Sequence, residues 1–151
     1  MKDLVYFLNG PGANLYGLDP SGVYGTETFD QLRDRCTATA SKLDLELMFR
    51  QSNHEGVLID WIQEAIGHAK GLIINAAGLS YTSVAILDAL LALPEPIVEV
   101  HMSNIHQREP FRHQTYVSKA ATGSITGLGA HGYELALMAV RQLIDARRKT
   151  P

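Results

Sequence analysis

Short apolar runs alternate with stretches of helical period along almost the whole chain, and this alternation limits the fold more than any other feature. Leu4 to Leu8 reads as a buried strand closed by Asn9-Gly10-Pro11. After a Gly-rich loop to Gly25, Thr28-Phe29-Asp30-Gln31 has capping-box spacing and opens a helix through about Leu43. Leu45 to Phe49 gives a second strand. Ser52-Asn53-His54-Glu55 repeats the capping-box signal before a helix that puts Leu58, Trp61, Ile62, Ala65, Ile66 and Ala69 on one face. Leu72 to Asn75 is a third strand, and Ser80-Tyr81-Thr82-Ser83 caps a helix to about Leu93. Ile97 to Met102 is a fourth strand and Ser124 to Gly127 a weaker fifth. Tyr133, Ala136, Leu137, Val140 and Ile144 line a last helix.

Strands that alternate with helices pair in parallel, because a crossover helix is what returns the chain to the same sheet edge. This pattern predicts an α/β fold: a flavodoxin-like three-layer sandwich on a five-stranded parallel sheet ordered 2-1-3-4-5. The competing reading is a shorter Rossmann half-domain. A length of 151 residues, with no repeat or internal linker, fits a single domain spanning 1–151.

Composition excludes several partners. The chain is 46% hydrophobic and 19% charged, with a net charge of -3. Its basic run, Arg147-Arg148-Lys149, reads as a solvated helix end, so no nucleic-acid partner is expected. No apolar stretch is long enough to span a membrane, and Asn9-Gly10-Pro11 breaks the first apolar run too early for a signal peptide. Cys36 is the sole cysteine, which rules out an intrachain disulfide and suits a cytoplasmic location. It follows Phe29 and Leu32 in a helix, so a packing role is expected.

Polar and glycine-rich residues collect where strands end. In open parallel sheets, ligands bind outside the carboxyl ends, at the switch in strand order. The first strand exits through Asn9-Gly10-Pro11, the third through Asn75-Ala76-Ala77-Gly78, and the fourth through Glu99-Val100-His101-Met102-Ser103-Asn104. Glu99 and His101 are two apart on a strand and share a face. A carboxylate beside an imidazole can orient the ring and favour its charged form, which makes His101 a candidate general acid. Arg108 and Arg112 are four apart. If helical, they face one way and suit an anionic, oxygen-rich ligand. Tyr24 lies in the Gly-rich loop and becomes a base only where cations stabilise its phenolate.

Two motifs are set aside. Gly127-Leu128-Gly129-Ala130-His131-Gly132 matches G-x-G-x-x-G, but no further strand follows its helix, so tight strand-to-helix packing explains it better than a dinucleotide. His101, His106 and His113 have spacings that fit no helix or strand face, which argues against zinc.

Several of these segments resemble the type II 3-dehydroquinate dehydratases: Leu8-Asn9-Gly10-Pro11, Tyr24-Gly25, Arg50 to Gly56, Asn75-Ala76-Ala77-Gly78, Thr82 to Ala85, Glu99-Val100-His101, Phe111-Arg112-His113 and Gly127 to Leu137. The resemblance implies the flavodoxin-like fold, a homo-oligomer (a dodecamer of trimers), no cofactor, and a cyclic hydroxy acid as ligand. It also implies a hydro-lyase of the shikimate pathway or of quinate metabolism, which converts 3-dehydroquinate to 3-dehydroshikimate by anti elimination through an enolate. Carried over, Tyr24 takes the proton beside the ketone, with Arg108 favouring its phenolate. His101, oriented by Glu99, protonates the departing hydroxyl. Asn75, Ser103 and the Met102 backbone hold the carboxylate, Arg112 binds ring hydroxyls, and Asp88 enters from a neighbouring subunit.

Three positions depart from that pattern. Gly12 stands where the family has an asparagine that helps hold the water stabilising the enolate. Asp19 stands where it has a loop arginine, and Tyr81 where it has a histidine against the substrate hydroxyls. These departures also fit a paralogue acting on another cyclic hydroxy or keto acid, or a noncatalytic subunit.

Overall fold

The computed structural model describes residues 1–18, 22 and 24–149. Apolar runs that are buried from end to end become the central strands. β3 (Gly71–Asn75) and β4 (Ile97–His101) are buried at every residue, as strands covered on both faces must be. With β1 (Asp3–Asn9), β2 (Leu45–Gln51) and β5 (Gly123–Thr126) they form a five-stranded parallel sheet in the order β2-β1-β3-β4-β5. The flavodoxin-like order expected from the alternation is therefore present, and the Rossmann half-domain is not.

Side-chain alternation sorts the core into two layers. Val5, Phe7, Ile73, Val98 and Val100 pack against α1 (Phe29–Lys42) and α4 (Gly129–Lys149). Tyr6, Leu8, Leu72, Ile74 and Ile97 pack against α2 (Glu55–Ala65) and α3 (Val84–Leu91). Each fully buried Leu, Ile or Phe contributes roughly 1.5–3 kcal/mol, whereas exposed ion pairs are worth about 0–1 kcal/mol. The two clusters, not rim pairs such as Arg148 with Asp3, hold the layers together. Cys36 is one of the buried core residues, as expected, and burial pushes its thiol up to about 12.

The helix starts are where the sequence reading is refined. The Thr28–Gln31 capping box forms in full. The second expected box does not: α2 begins at Glu55 with His54 as its uncapped flanking residue. Because β2 runs on to Gln51, Ser52 is used in the turn and accepts from the His54 N–H at 2.9 Å. α2 also ends at Ala65, which leaves Ile66 partly exposed. Ser83, not Ser80, caps α3, because Ala77–Tyr81 has already formed a 3-10 turn.

β1 and β3 leave the sheet side by side. The Gly10 N–H donates to the Asn75 carbonyl at 2.8 Å. A Cβ on Gly10 would stand 2.5 Å from the Ala76 oxygen, a backbone atom that cannot step aside. Gly10→Ala is therefore expected to destabilise the chain by about 1–3 kcal/mol, read as a lower urea midpoint. An unchanged midpoint would mean that the two exits are not held at this spacing.

Candidate active site

The switch in strand order falls between β1 and β3. There Gln51, Asn9 and Asn75 stand in register at the strand ends. Asn9 and Asn75 are buried, so their amides need partners within the protein. The Asn75 Nδ2 donates to Tyr16 at 3.0 Å and to Tyr133 at 2.8 Å, and its Oδ1 accepts from the Ala77 N–H at 3.1 Å. Tyr133 in turn donates to Asn9 Oδ1 at 2.7 Å. That bond of Asn75 to Ala77 supports a left-handed turn, with Ala77 at a φ of 53°. Burial raises the phenols, Tyr133 well above its ordinary value and Tyr16 to about 12, so both keep their protons.

The imidazole side is built on β4. Glu99 and His101 point to the α2–α3 face and are 1% and 4% exposed. His101 Nε2 lies 2.7 Å from Glu99 Oε2, which also accepts from Thr115 Oγ1 at 2.7 Å. Ser118 Oγ donates to the other carboxylate oxygen. Burial would raise the Glu99 carboxyl, but the bonds from His101, Ser118 and Thr115 outweigh it and hold Glu99 below its ordinary 4.5. His101 is thus oriented by an anion whose own orientation is fixed twice over.

The opposite wall carries Tyr24, which packs against the α1–α4 cluster. Arg108 Nη1 donates to the Tyr24 hydroxyl and to Ser103 Oγ, both at 3.1 Å. Arg108 and Arg112 do not share a helix, as their spacing suggested. Arg108 follows the 3-10 turn Ile105–Gln107, and Arg112 is the last residue of a second, Pro110–Arg112, which Pro110 starts. Both still reach the cavity, and Glu109 bridges them at 3.8 and 3.0 Å. The Tyr81 ring stacks near His101 at 6.3 Å, with the Arg112 guanidinium 5.3 Å from its centroid.

These groups enclose a cavity of about 210 Å³, smaller than the roughly 300–1,000 Å³ of sites for drug-sized ligands. Of the residues singled out from sequence, Tyr24, Asn75, Tyr81, His101, Met102, Ser103, Arg108 and Arg112 line it, with Glu99 directly behind His101. Asp88 does not: it is exposed on α3. Gly12 lies on the wall with a φ of 87°, and Asp19 lies outside the described residues. Two guanidinium groups, an imidazole and no carboxylate among the described lining residues suit a small anion. A larger depression of about 660 Å³ lies at the amino ends of β1 and β2, where Asp3 is tied to Arg141 and Arg148.

Sequence reading missed Tyr16, which lines the cavity, and Thr115 and Ser118 behind Glu99. The i, i+3 spacing of Thr115 and Ser118, with the Ser118 N–H bonded to Thr115 Oγ1 at 2.9 Å, is a local turn signal, but nothing local aims it at β4. In the G-x-G-x-x-G match, Gly132 of α4 lies against the sheet, where a Cβ would stand 3.5 Å from Ile125 and 3.8 Å from Val100. Gly127 sits against Asn104, where a Cβ would meet that side chain at 3.0 Å, and its N–H donates to the His101 carbonyl at 3.2 Å. His106 and His113 lie side by side outside the cavity lining, ring centroids 6.0 Å apart. Among the described residues no helix is long and apolar enough to cross a membrane.

Fold and cavity together define a flavodoxin-like α/β enzyme whose polar site lies at the switch in strand order. The chain belongs to the class II dehydroquinase family, whose model, "Dehydroquinase class II", matches residues 3–141. It is 50% identical over 147 residues to "3-dehydroquinate dehydratase 2" of Pseudomonas putida, covering 97% of this chain and 99% of that one. It is 54% identical over 143 residues to a 3-dehydroquinate dehydratase of Phenylobacterium zucineum, covering 95% and 99%. The crystal structure of a type II dehydroquinase from Propionibacterium acnes superposes with a TM-score of 0.90 at 40% identity, covering 94% of this chain and 98% of that one.

The Glu99 clamp has a pH signature. A carboxyl held low in the folded chain leaves the unfolded chain to take up the proton first as pH falls. Its stabilisation is complete above the ordinary 4.5 and is lost as pH drops through the folded value. Ser118→Ala removes a hydrogen bond to this buried charge. It is expected to cost about 1.5–3 kcal/mol at neutral pH and to shrink the acid-dependent loss, because the folded value moves back toward 4.5. Urea unfolding across the acid range reads both. An unaltered acid slope would show that Ser118 does not hold the Glu99 anion.

Proposed function

We propose that this chain is a hydro-lyase that removes water from 3-dehydroquinate by anti elimination through an enolate, giving 3-dehydroshikimate. The observation that carries the reading is the pairing of two unlike groups across one small cationic cavity: Tyr24 bonded to Arg108 on one wall, and His101 bonded to buried Glu99 on the other. A proton beside a ketone needs a base. Tyr24 has that role, and the Arg108 guanidinium sits on the oxygen where negative charge rests once the phenol proton is gone. Hydroxide leaves only when protonated, which falls to His101, with Glu99 fixing its ring.

Ser103, Asn75 and Met102 line the cavity. The Ser103 hydroxyl and the Met102 backbone are assigned to the carboxylate, whereas both Asn75 Nδ2 hydrogens already go to Tyr16 and Tyr133, so Asn75 positions Tyr16 rather than the ligand. Arg112 and Tyr81 are assigned to the ring hydroxyls. Their mutual packing favours this role, since Arg112 holds the Tyr81 ring over the cavity from its bond to Glu109.

The proposal extends to the assembly: a single dehydroquinase-like domain repeated in a cytoplasmic, trimer-based dodecamer. Asp88 supports this, because it is exposed and turned away from its own cavity, as a residue serving a neighbouring subunit must be. A buried free thiol suits the reducing compartment.

Initial rates with 3-dehydroquinate, followed through the ultraviolet absorption of the conjugated enone, test the activity. His101→Ala is expected to lower kcat by about 10²–10⁴-fold with circular dichroism unchanged, and turnover at the parent rate would reassign the acid. Sedimentation at micromolar concentration is expected to show trimers or their multiples. A monomer alone would remove Asp88 from the site.

A further inference from the structure

The buried row beneath the cavity has a direction. Asn75 donates to Tyr16 and to Tyr133, and Tyr133 donates to Asn9. Tyr16 accepts one of these bonds and lies beside Tyr133, but no acceptor other than Tyr133 is within reach of its own proton among the described residues. Of the row's two tyrosines, Tyr16 is the one that lines the cavity. Its proton can rest on Tyr133 or turn to a ligand oxygen.

Tyr16 also stands beside the base: the Tyr16 and Tyr24 ring centroids are 5.3 Å apart. The other donors near Tyr24 are engaged, since Arg108 bonds Tyr24 and Ser103. Gly12, on the same wall, has no side chain to offer. Burial keeps Tyr16 protonated, and accepting from Asn75 polarises its O–H and strengthens it as a donor.

When Tyr24 takes the proton beside the ketone, the electron pair of the broken C–H bond moves onto the carbonyl oxygen. We propose that the Tyr16 hydroxyl is a further catalytic residue, donating its hydrogen bond to that enolate oxygen. The inference rests on the dehydratase reading above. Tyr16 gives up no proton. When the enolate collapses, its electrons form the ring double bond and expel the hydroxyl, which leaves as water with the proton from His101. A fixed donor at a developing oxyanion is worth about 10²–10³ in rate.

The test compares the parent chain, Tyr16→Phe, and Tyr16→Phe with Gly12→Asn, using 3-dehydroquinate with and without deuterium at the abstracted position. Tyr16→Phe is expected to lower kcat by about 10²-fold while KM changes by less than about threefold, and to raise the isotope effect as enolate formation becomes rate-limiting. A purely structural role for the hydroxyl would not produce that rise. Gly12→Asn is expected to restore part of the rate, because Gly12 holds a φ of +87° that asparagine tolerates and no atom lies within 4 Å of where its Cβ would stand. If Tyr16→Phe alone folds poorly, Gly12→Asn in the parent chain is the second variant: a kcat near the parent's fits an enolate donor that Tyr16 already supplies, and a rise of about 10²-fold overturns it. An active parent with Tyr16→Phe at the parent kcat, or with a reduced rate and an unmoved isotope effect, overturns the role of Tyr16 alone. A parent inert toward 3-dehydroquinate overturns the dehydratase reading and this inference with it.

Discussion

Asn9 and Asn75 end adjacent central strands with their amides buried, and a buried amide without partners costs about 1–3 kcal/mol per unpaired group. The partners come from elsewhere in the chain: Tyr133 from α4, Tyr16 from the first loop and the Ala77 N–H from the turn after β3. This row ties the sheet to α4 and fixes where β1 and β3 part. Two of its members, Asn75 and Tyr16, also line the cavity, so core stability and site geometry share hydrogen bonds.

The two proposed chemical roles are divided between the faces of the sheet. Even-numbered residues of β4 join the α1–α4 core and odd-numbered ones face α2 and α3. Glu99 and His101 therefore rise from one side while Tyr24 packs on the other. The clamp of Thr115 and Ser118 makes a buried anion tolerable, since a carboxylate removed from water needs its lone pairs occupied. Arg108 brings the compensating positive charge to the far wall, where it bonds Tyr24.

The sheet was legible because its signals are local. Apolar runs of strand length, separated by helical periods, leave few topologies. The Glu99–His101 pair was legible for the same reason, as residues two apart on a strand need no tertiary knowledge. Ser52 and Ser80 misled because the capping signal is only a spacing, and the neighbouring strand end and 3-10 turn used those residues first. Arg108 and Arg112 converge although they sit on separate 3-10 turns and not on the one helix that would have aligned them. Tyr16, Thr115 and Ser118 were illegible. Each acts on a partner 16 to 59 positions away, and that proximity exists only after the fold has formed.

The proposed base and acid, Tyr24 and His101 on opposite walls, make one claim that neither residue makes alone: the proton and the hydroxyl leave from opposite faces of the ring. Substrate carrying deuterium at one or the other of the two hydrogens beside the ketone reads this directly, by proton nuclear magnetic resonance of the product. The arrangement of Tyr24 and His101 predicts that deuterium anti to the hydroxyl is lost and deuterium syn to it is kept. Loss of the syn label, or equal loss of both, would contradict a site that works from two walls.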